Sequence, residues 1–117
     1  MPVIPSLIYV DNKPQAIIVY CTEEEYRKYL DENTMPEKYI QLSFFINYIE
    51  RKGFFLKPGF AIQNSEGIAV YGEVHIFESA MPDGRFITTQ KIREVFASLG
   101  LDFNEFIDAY AEHLKTL

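Results

Sequence analysis

Residues 36–52, PEKYIQLSFFINYIERK, predict a long helix around which the rest of the chain must be arranged. Its apolar side chains recur at helical spacing but fall on two arcs instead of one. The first arc contains Tyr39, Leu42, Phe45, Ile46 and Ile49. The second arc contains Ile40, Phe44 and Tyr48. Because a helix at the edge of a small domain needs one apolar stripe, this helix is expected to lie between two layers or to share its second arc with another chain.

The second arc, together with two phenylalanines that follow the helix, forms a predicted self-association interface. Its members are Ile40, Phe44, Tyr48, Phe54 and Phe55. Surplus apolar surface on a small protein often marks a contact between chains, and two-fold homodimers are the commonest such assembly. The sequence leaves one alternative open, in which the second arc packs inside the chain against the sheet or the last helix.

The chain before the long helix predicts a β-hairpin and a short helix. Residues 3–10 and 15–21 are rich in β-forming side chains, and the turn sequence DNKP lies between them. The continuous apolar run at residues 16–20 predicts a second strand that is covered on both faces. A helix then begins after Thr22 and ends near Glu32.

The chain after the long helix follows the same order. Residues 54–59 are interpreted as an aromatic connector, and residues 60–63 and 68–78 as a second hairpin around the turn sequence NSEG. Two more helices are predicted after this hairpin. The apolar face of the first contains Ile92, Val95, Phe96 and Leu99. The apolar face of the second contains Phe103, Phe106, Ile107, Tyr110, Ala111 and Leu114.

These elements predict the α+β class, with two antiparallel β-hairpins and two helix pairs in the order ββαα-ββαα. The strands are expected to form one mixed or antiparallel sheet that is covered by helices. Residues 1–117 are predicted to be a single domain. The matching order of elements in residues 1–53 and 54–117 leaves a pseudo-repeat open as the origin of the chain.

Three helix starts have the spacing of a capping box, in which a short polar side chain and a glutamate three residues later each bond to the other's backbone N–H. The pairs are Thr22 with Glu25, Thr34 with Glu37, and Asp102 with Glu105. Gly53 and Gly100 follow two of the predicted helices, at a position where glycine commonly ends a helix.

Charge and composition exclude several classes of function. The chain carries 11 Lys and Arg against 17 Asp and Glu, a formal net charge of −6. That field repels phosphate backbones, so nucleic acid is not an expected partner. No apolar run approaches the roughly 18 residues of a membrane span, so no membrane partner is expected either. With Cys21 as the single cysteine and no basic start of a secretory signal, the expected location is cytoplasmic.

One strand of the second hairpin carries the best candidates for catalysis. Tyr71, Glu73 and His75 share a face of that strand, and Arg85 lies in the following loop. A carboxylate and an imidazole side by side form a candidate general acid–base pair in a small enzyme or ligand-binding protein. An ordinary pair of neighbours on a half-covered hairpin face explains the same pattern. No third metal ligand lies nearby in the sequence, so neither a metal nor a cofactor is predicted.

The last helix carries a predicted acidic partner face, formed by Glu105, Asp108 and Glu112. Negative side chains in these positions oppose a role in reading DNA. They are suited to a basic protein surface, as in small inhibitors and immunity proteins that bind by electrostatic complementarity. The sequence therefore predicts an acidic accessory or inhibitor-like protein that acts by protein–protein binding and self-associates. The small enzyme centred on Glu73 and His75 is the alternative.

Overall fold

The computed structural model describes residues 2–10, 12–57, 61–71 and 90–116, and the structural statements below concern these residues. The strands are β1 (Val3–Val10), β2 (Lys13–Tyr20), β3 (Phe54–Leu56), β4 (Ile62–Asn64) and β5 (Ala69–Tyr71). The helices are α1 (Glu23–Glu32), α2 (Glu37–Arg51), α3 (Gln90–Leu99) and α4 (Phe103–Lys115).

The predicted α+β class is confirmed, because antiparallel strands and four helices make up the described residues. The predicted order ββαα-ββαα is wrong in one place. Residues 54–56, interpreted as a connector, form strand β3, which pairs with β4. Three residues are too few to show the two-residue periodicity of a strand. Phe and Leu side chains nevertheless suit a strand when a second strand, here β4, is available to pair with it.

The strands that the structure describes lie in two sheets and not in the one sheet that was predicted. One sheet contains β1 and β2, and the other contains β3, β4 and β5 in that order. The register of the first hairpin pairs Val3 with Tyr20 at its open end and Val10 with Lys13 beside the turn. The second sheet has an irregularity between Ile62 and Gln63, where β4 pairs with β5.

Helix α2 supplies the centre of the hydrophobic core. Its buried side chains are Leu42, Phe44, Phe45, Ile46, Tyr48 and Ile49, which come from both apolar arcs. Towards the first hairpin, the Tyr39 hydroxyl donates a hydrogen bond to the Leu7 carbonyl oxygen at 2.8 Å. Towards α4, the centroid of the Phe44 ring lies 5.6 Å from that of Phe106. The helix therefore lies between two layers, which is one of the two arrangements that its sequence allowed.

Helices α2 and α4 pack antiparallel, as the polar contacts at their ends show. Lys52, just after α2, bonds to Glu105 in the first turn of α4 at 2.7 Å. At the other end, the Tyr110 hydroxyl donates to the Glu37 carboxylate at 3.3 Å. Burial is the main reason that the pKa of Tyr110 is raised to about 12, so this phenol stays protonated as a donor even in alkaline solution that ionises an ordinary tyrosine.

The predicted apolar face of α3 is confirmed, and that of α4 is confirmed in part. Every predicted side chain on α3 is buried: Ile92, Val95, Phe96 and Leu99. On α4, Phe106 and Tyr110 are buried, whereas Ala111 and Leu114 are exposed. The side of α4 that packs on α2 includes His113 instead. Its ring stacks on that of Phe44, with the centroids 4.9 Å apart.

Of the three predicted capping boxes, one forms as predicted. The Thr22 hydroxyl accepts from the Glu25 N–H, and the Glu25 carboxylate accepts from the Thr22 N–H. Helix α2 begins after Pro36 with no side-chain cap, so the Thr34 box is wrong. The Thr34 hydroxyl lies near the Glu32 carbonyl instead. Asp102 caps α4 by accepting from the Asn104 N–H, while the carboxylate of Glu105 bonds to Lys52.

The two threonines give a matched test of this capping assignment. We expect Thr22→Ala to lower the free energy of unfolding by about 0.5–2 kcal/mol, because the Glu25 N–H at the start of α1 loses its side-chain acceptor. Thr34→Ala should change it by less than about 0.5 kcal/mol, since that hydroxyl caps no helix start and makes only an exposed 3.4 Å contact with the Glu32 carbonyl oxygen. Urea unfolding of both variants measures the difference, and equal losses would contradict the assignment.

Candidate functional site

The first hairpin presents an apolar surface that we call the outer face. Directly paired residues of β1 and β2 lie on the same side of a hairpin, so the register assigns each side chain to a face. The outer face consists of Val3, Pro5, Leu7 and Tyr9 on β1 and Pro14, Ala16, Ile18 and Tyr20 on β2. None of these side chains carries a charge.

The outer face is largely open to solvent in the single chain. Leu7 is 50 % exposed, Tyr9 is 66 % exposed and Ile18 is 56 % exposed. The two prolines and Ala16 are exposed as well, while Tyr20 is half-buried. A contiguous apolar surface of this kind is unusual on a protein that works alone, and commonly marks a contact with another molecule.

The opposite face of the hairpin packs on the hydrophobic core. Ile4, Ile8 and Val19 point into the core and are almost completely buried. Ser6 and Gln15 share that side and are half-buried. The sequence predicted a β2 covered on both faces, because the run at residues 16–20 is apolar throughout. Among the described residues, one face of β2 packs on the core and the other is open, with Ile18 56 % exposed, so cover on both faces is wrong for that part of the chain.

A small groove joins the outer face to α2. It has a volume of about 160 Å³ and is lined by Ile8, Tyr9, Tyr39, Ser43, Ile46 and Asn47. Typical ligand pockets measure about 300–1,000 Å³, so the groove is too small for most ligands. Together with the hydrogen bond from Tyr39 to the Leu7 carbonyl, it marks where β1 rests on the long helix.

A larger cleft lies between α1 and α2. It has a volume of about 320 Å³ and is lined by Glu25, Lys28, Thr34, Met35, Pro36, Glu37 and Ile40. This is at the small end of the range for ligand pockets. Its charged groups are of both signs and its apolar surface is limited, so its lining does not select a particular class of ligand.

The structure separates the residues of the predicted self-association interface into two groups. Phe44 and Tyr48 are only 7 % and 6 % exposed, because they pack on the rings of α4. In the single chain these two side chains are core, which is the alternative that the sequence left open. Ile40, Phe54 and Phe55 are half-buried, and their part in an interface stays a prediction.

The predicted acidic face of α4 is weaker than its sequence indicates. Asp108 is exposed, but Glu105 and Glu112 bond to Lys52 and Lys115 of the same chain. The hydrogen bond from Lys52 lowers the pKa of the Glu105 carboxyl, and the same bond raises the pKa of Lys52. Ion pairs within the chain therefore partly neutralise two of the three carboxylates, which reduces their attraction for a basic partner surface.

The candidate catalytic residues fall almost wholly outside the described residues. Tyr71 ends β5 and is half-buried, whereas Glu73, His75 and Arg85 lie outside the part of the chain that the structure describes. Their proposed acid–base role stays a prediction. Within the described ranges, no three His, Cys, Asp or Glu side chains come together in a way that could hold a metal ion.

Comparisons with known proteins do not assign a family or a function to this chain. No family model matches the chain, and neither a curated protein nor a solved structure matches it. Among the described helices, none is long and apolar enough to cross a membrane. The described residues thus form an α+β protein whose first hairpin carries an exposed apolar face.

Proposed function

We propose that this chain acts by protein–protein binding, as a small, acidic, self-associating accessory or inhibitor-like protein, and that the outer face of the first hairpin is its binding surface. The observation that carries the proposal is the combination of eight uncharged side chains on one face with the exposure of Leu7, Tyr9 and Ile18. The acidic face of α4 contributes less to the proposal, because two of its carboxylates are already paired.

The composition of the outer face supports a protein as the bound molecule. Tyrosine is enriched in the centres of protein interfaces, where charged residues are depleted, and the outer face has two tyrosines and no charge. The backbone of this face is already fixed by the pairing of its two strands, so binding does not have to order it. The single cysteine of the chain suits a reducing compartment, and we propose the cytoplasm as the place of action.

Photo-crosslinking in cells tests the proposal with a matched pair of positions. Ile18 on the outer face and Ile68 before β5 are the same residue type and are both 56 % exposed. We expect p-benzoylphenylalanine at position 18 to give discrete crosslinked proteins and the same group at position 68 to give none of them. Leu7 and Leu30 form a second pair for repetition of the experiment. Crosslinking that is absent or identical at the two positions would contradict the outer face as a binding surface.

A further inference from the structure

We infer that the occupant of the outer face is a second copy of this chain, so that two hairpins pack face to face in a two-fold dimer. This inference rests on the proposed function and names the partner of the same surface. It differs from the interface that the sequence predicted on α2, because Phe44 and Tyr48 are buried by α4 within one chain.

Charge is the first argument for a second copy. Each chain has a formal net charge of −6, so two copies repel each other wherever their charged surfaces meet. The outer face is a charge-free surface on which two copies can approach without placing carboxylates against each other. A basic partner would instead be drawn to the exposed carboxylates of α1, and not to this charge-free face.

The pattern of side-chain sizes is the second argument. Each of the four cross-strand pairs on the outer face joins a larger and a smaller side chain: Leu7 with Ala16, Ile18 with Pro5, Tyr9 with Pro14, and Tyr20 with Val3. The larger member lies on β1 in the two pairs near the turn and on β2 in the two pairs near the open end.

This diagonal pattern makes the outer face complementary to itself. A two-fold axis that runs along the strands, between two such faces, places β1 of one copy opposite β2 of the other. Every larger side chain then lies opposite the smaller member of the same pair in the partner copy. An axis across the strands also sets larger side chains opposite smaller ones, because the pattern reverses at its middle. Side chains of alternating size can thus interdigitate in a layer about 10 Å thick.

The extent of the face sets the expected strength of the dimer. Eight residues at about 3.4 Å each give a length of about 27 Å, and two strands give a width of about 10 Å. This is less than the roughly 800 Å² that each partner buries in a standard interface. We therefore expect a reversible dimer whose population rises with protein concentration, and not a permanent one.

Sedimentation equilibrium of the purified full chain tests the inference. The wild-type chain should change from the 13.6 kDa of one copy towards twice that mass as its concentration rises. Leu7→Lys and Ile18→Lys should each raise the dissociation constant at least about 30-fold, because a buried, unpaired charge replaces a central apolar contact. The matched variants Leu30→Lys and Ile68→Lys should dimerise as the wild type does. Circular dichroism verifies that all four remain folded.

Two results would overturn the inference. One is a wild-type chain that remains a monomer at every concentration, and the other is an unchanged dissociation constant in both outer-face variants. If the purified chain is monomeric while position 18 still crosslinks to other proteins in cells, the partner is a different protein and the proposed function stands. If position 18 also gives no crosslinks, the outer face is not a binding surface and the proposed function fails with it.

Discussion

Replacement of Phe106 by alanine is expected to lower the free energy of unfolding by about 3–5 kcal/mol, a large part of the roughly 5–15 kcal/mol that stabilises a typical domain. The Phe106 side chain is fully buried where α4 meets α2 and α3. Its ring centroid lies 4.7 Å from that of Phe96, 5.1 Å from Tyr48 and 5.6 Å from Phe44. Truncation removes these contacts together and leaves a cavity that three helices border.

Urea unfolding followed by circular dichroism measures this loss, as a lower midpoint at an unchanged slope. Leu114→Ala on the same helix is the matched control, because that side chain is 41 % exposed. It should cost less than about 1 kcal/mol. A Phe106→Ala variant as stable as the Leu114→Ala variant would show that the ring contacts of Phe106 do not stabilise the core as proposed.

Replacement of Phe44 and Tyr48 together by glutamate is expected to unfold the chain. Loss of two buried aromatic side chains costs about 6–10 kcal/mol at the usual cost for each, and two carboxylates would have to enter an apolar layer as well. Burial is the main cause that raises the pKa of Tyr48, so a negative charge is unfavourable at this position. If these side chains formed an interface, the same double variant would instead be a folded monomer.

Proton NMR distinguishes these two outcomes, because an unfolded chain loses its dispersed amide and methyl signals. Phe44→Leu should remain folded, since an apolar side chain of similar size keeps the packing pattern of the layer. Ile40→Glu should also remain folded, because Ile40 is half-buried on the same arc and lines an open cleft. A dispersed spectrum from the double glutamate variant would show that the second arc of α2 is surface and not core.

The helices show how far pattern reasoning reaches in this chain. The apolar positions of α3 are buried as predicted, and the Thr22–Glu25 box caps α1. The box predicted at Thr34 does not form, because α2 begins two residues later, after Pro36. The one predicted at Asp102 forms in part, since Lys52 bonds to the Glu105 carboxylate. Local spacing identifies which groups can bond to each other, but the residue at which the helix begins and competing partners distant in sequence decide whether they do.

The sequence by itself determined the α+β class, the approximate positions of the four described helices and of the first hairpin, and the apolar face of α3. The tertiary structure decided which of those apolar faces meets the core. It buried Phe44 and Tyr48 of the second arc under α4 and left the outer face of the hairpin exposed to solvent. The physical reason is that periodicity is a local property, set by 3.6 residues per helical turn or two per strand repeat. Burial depends on which distant element packs against a face, and an apolar face has the same pattern whether its own chain or a partner covers it.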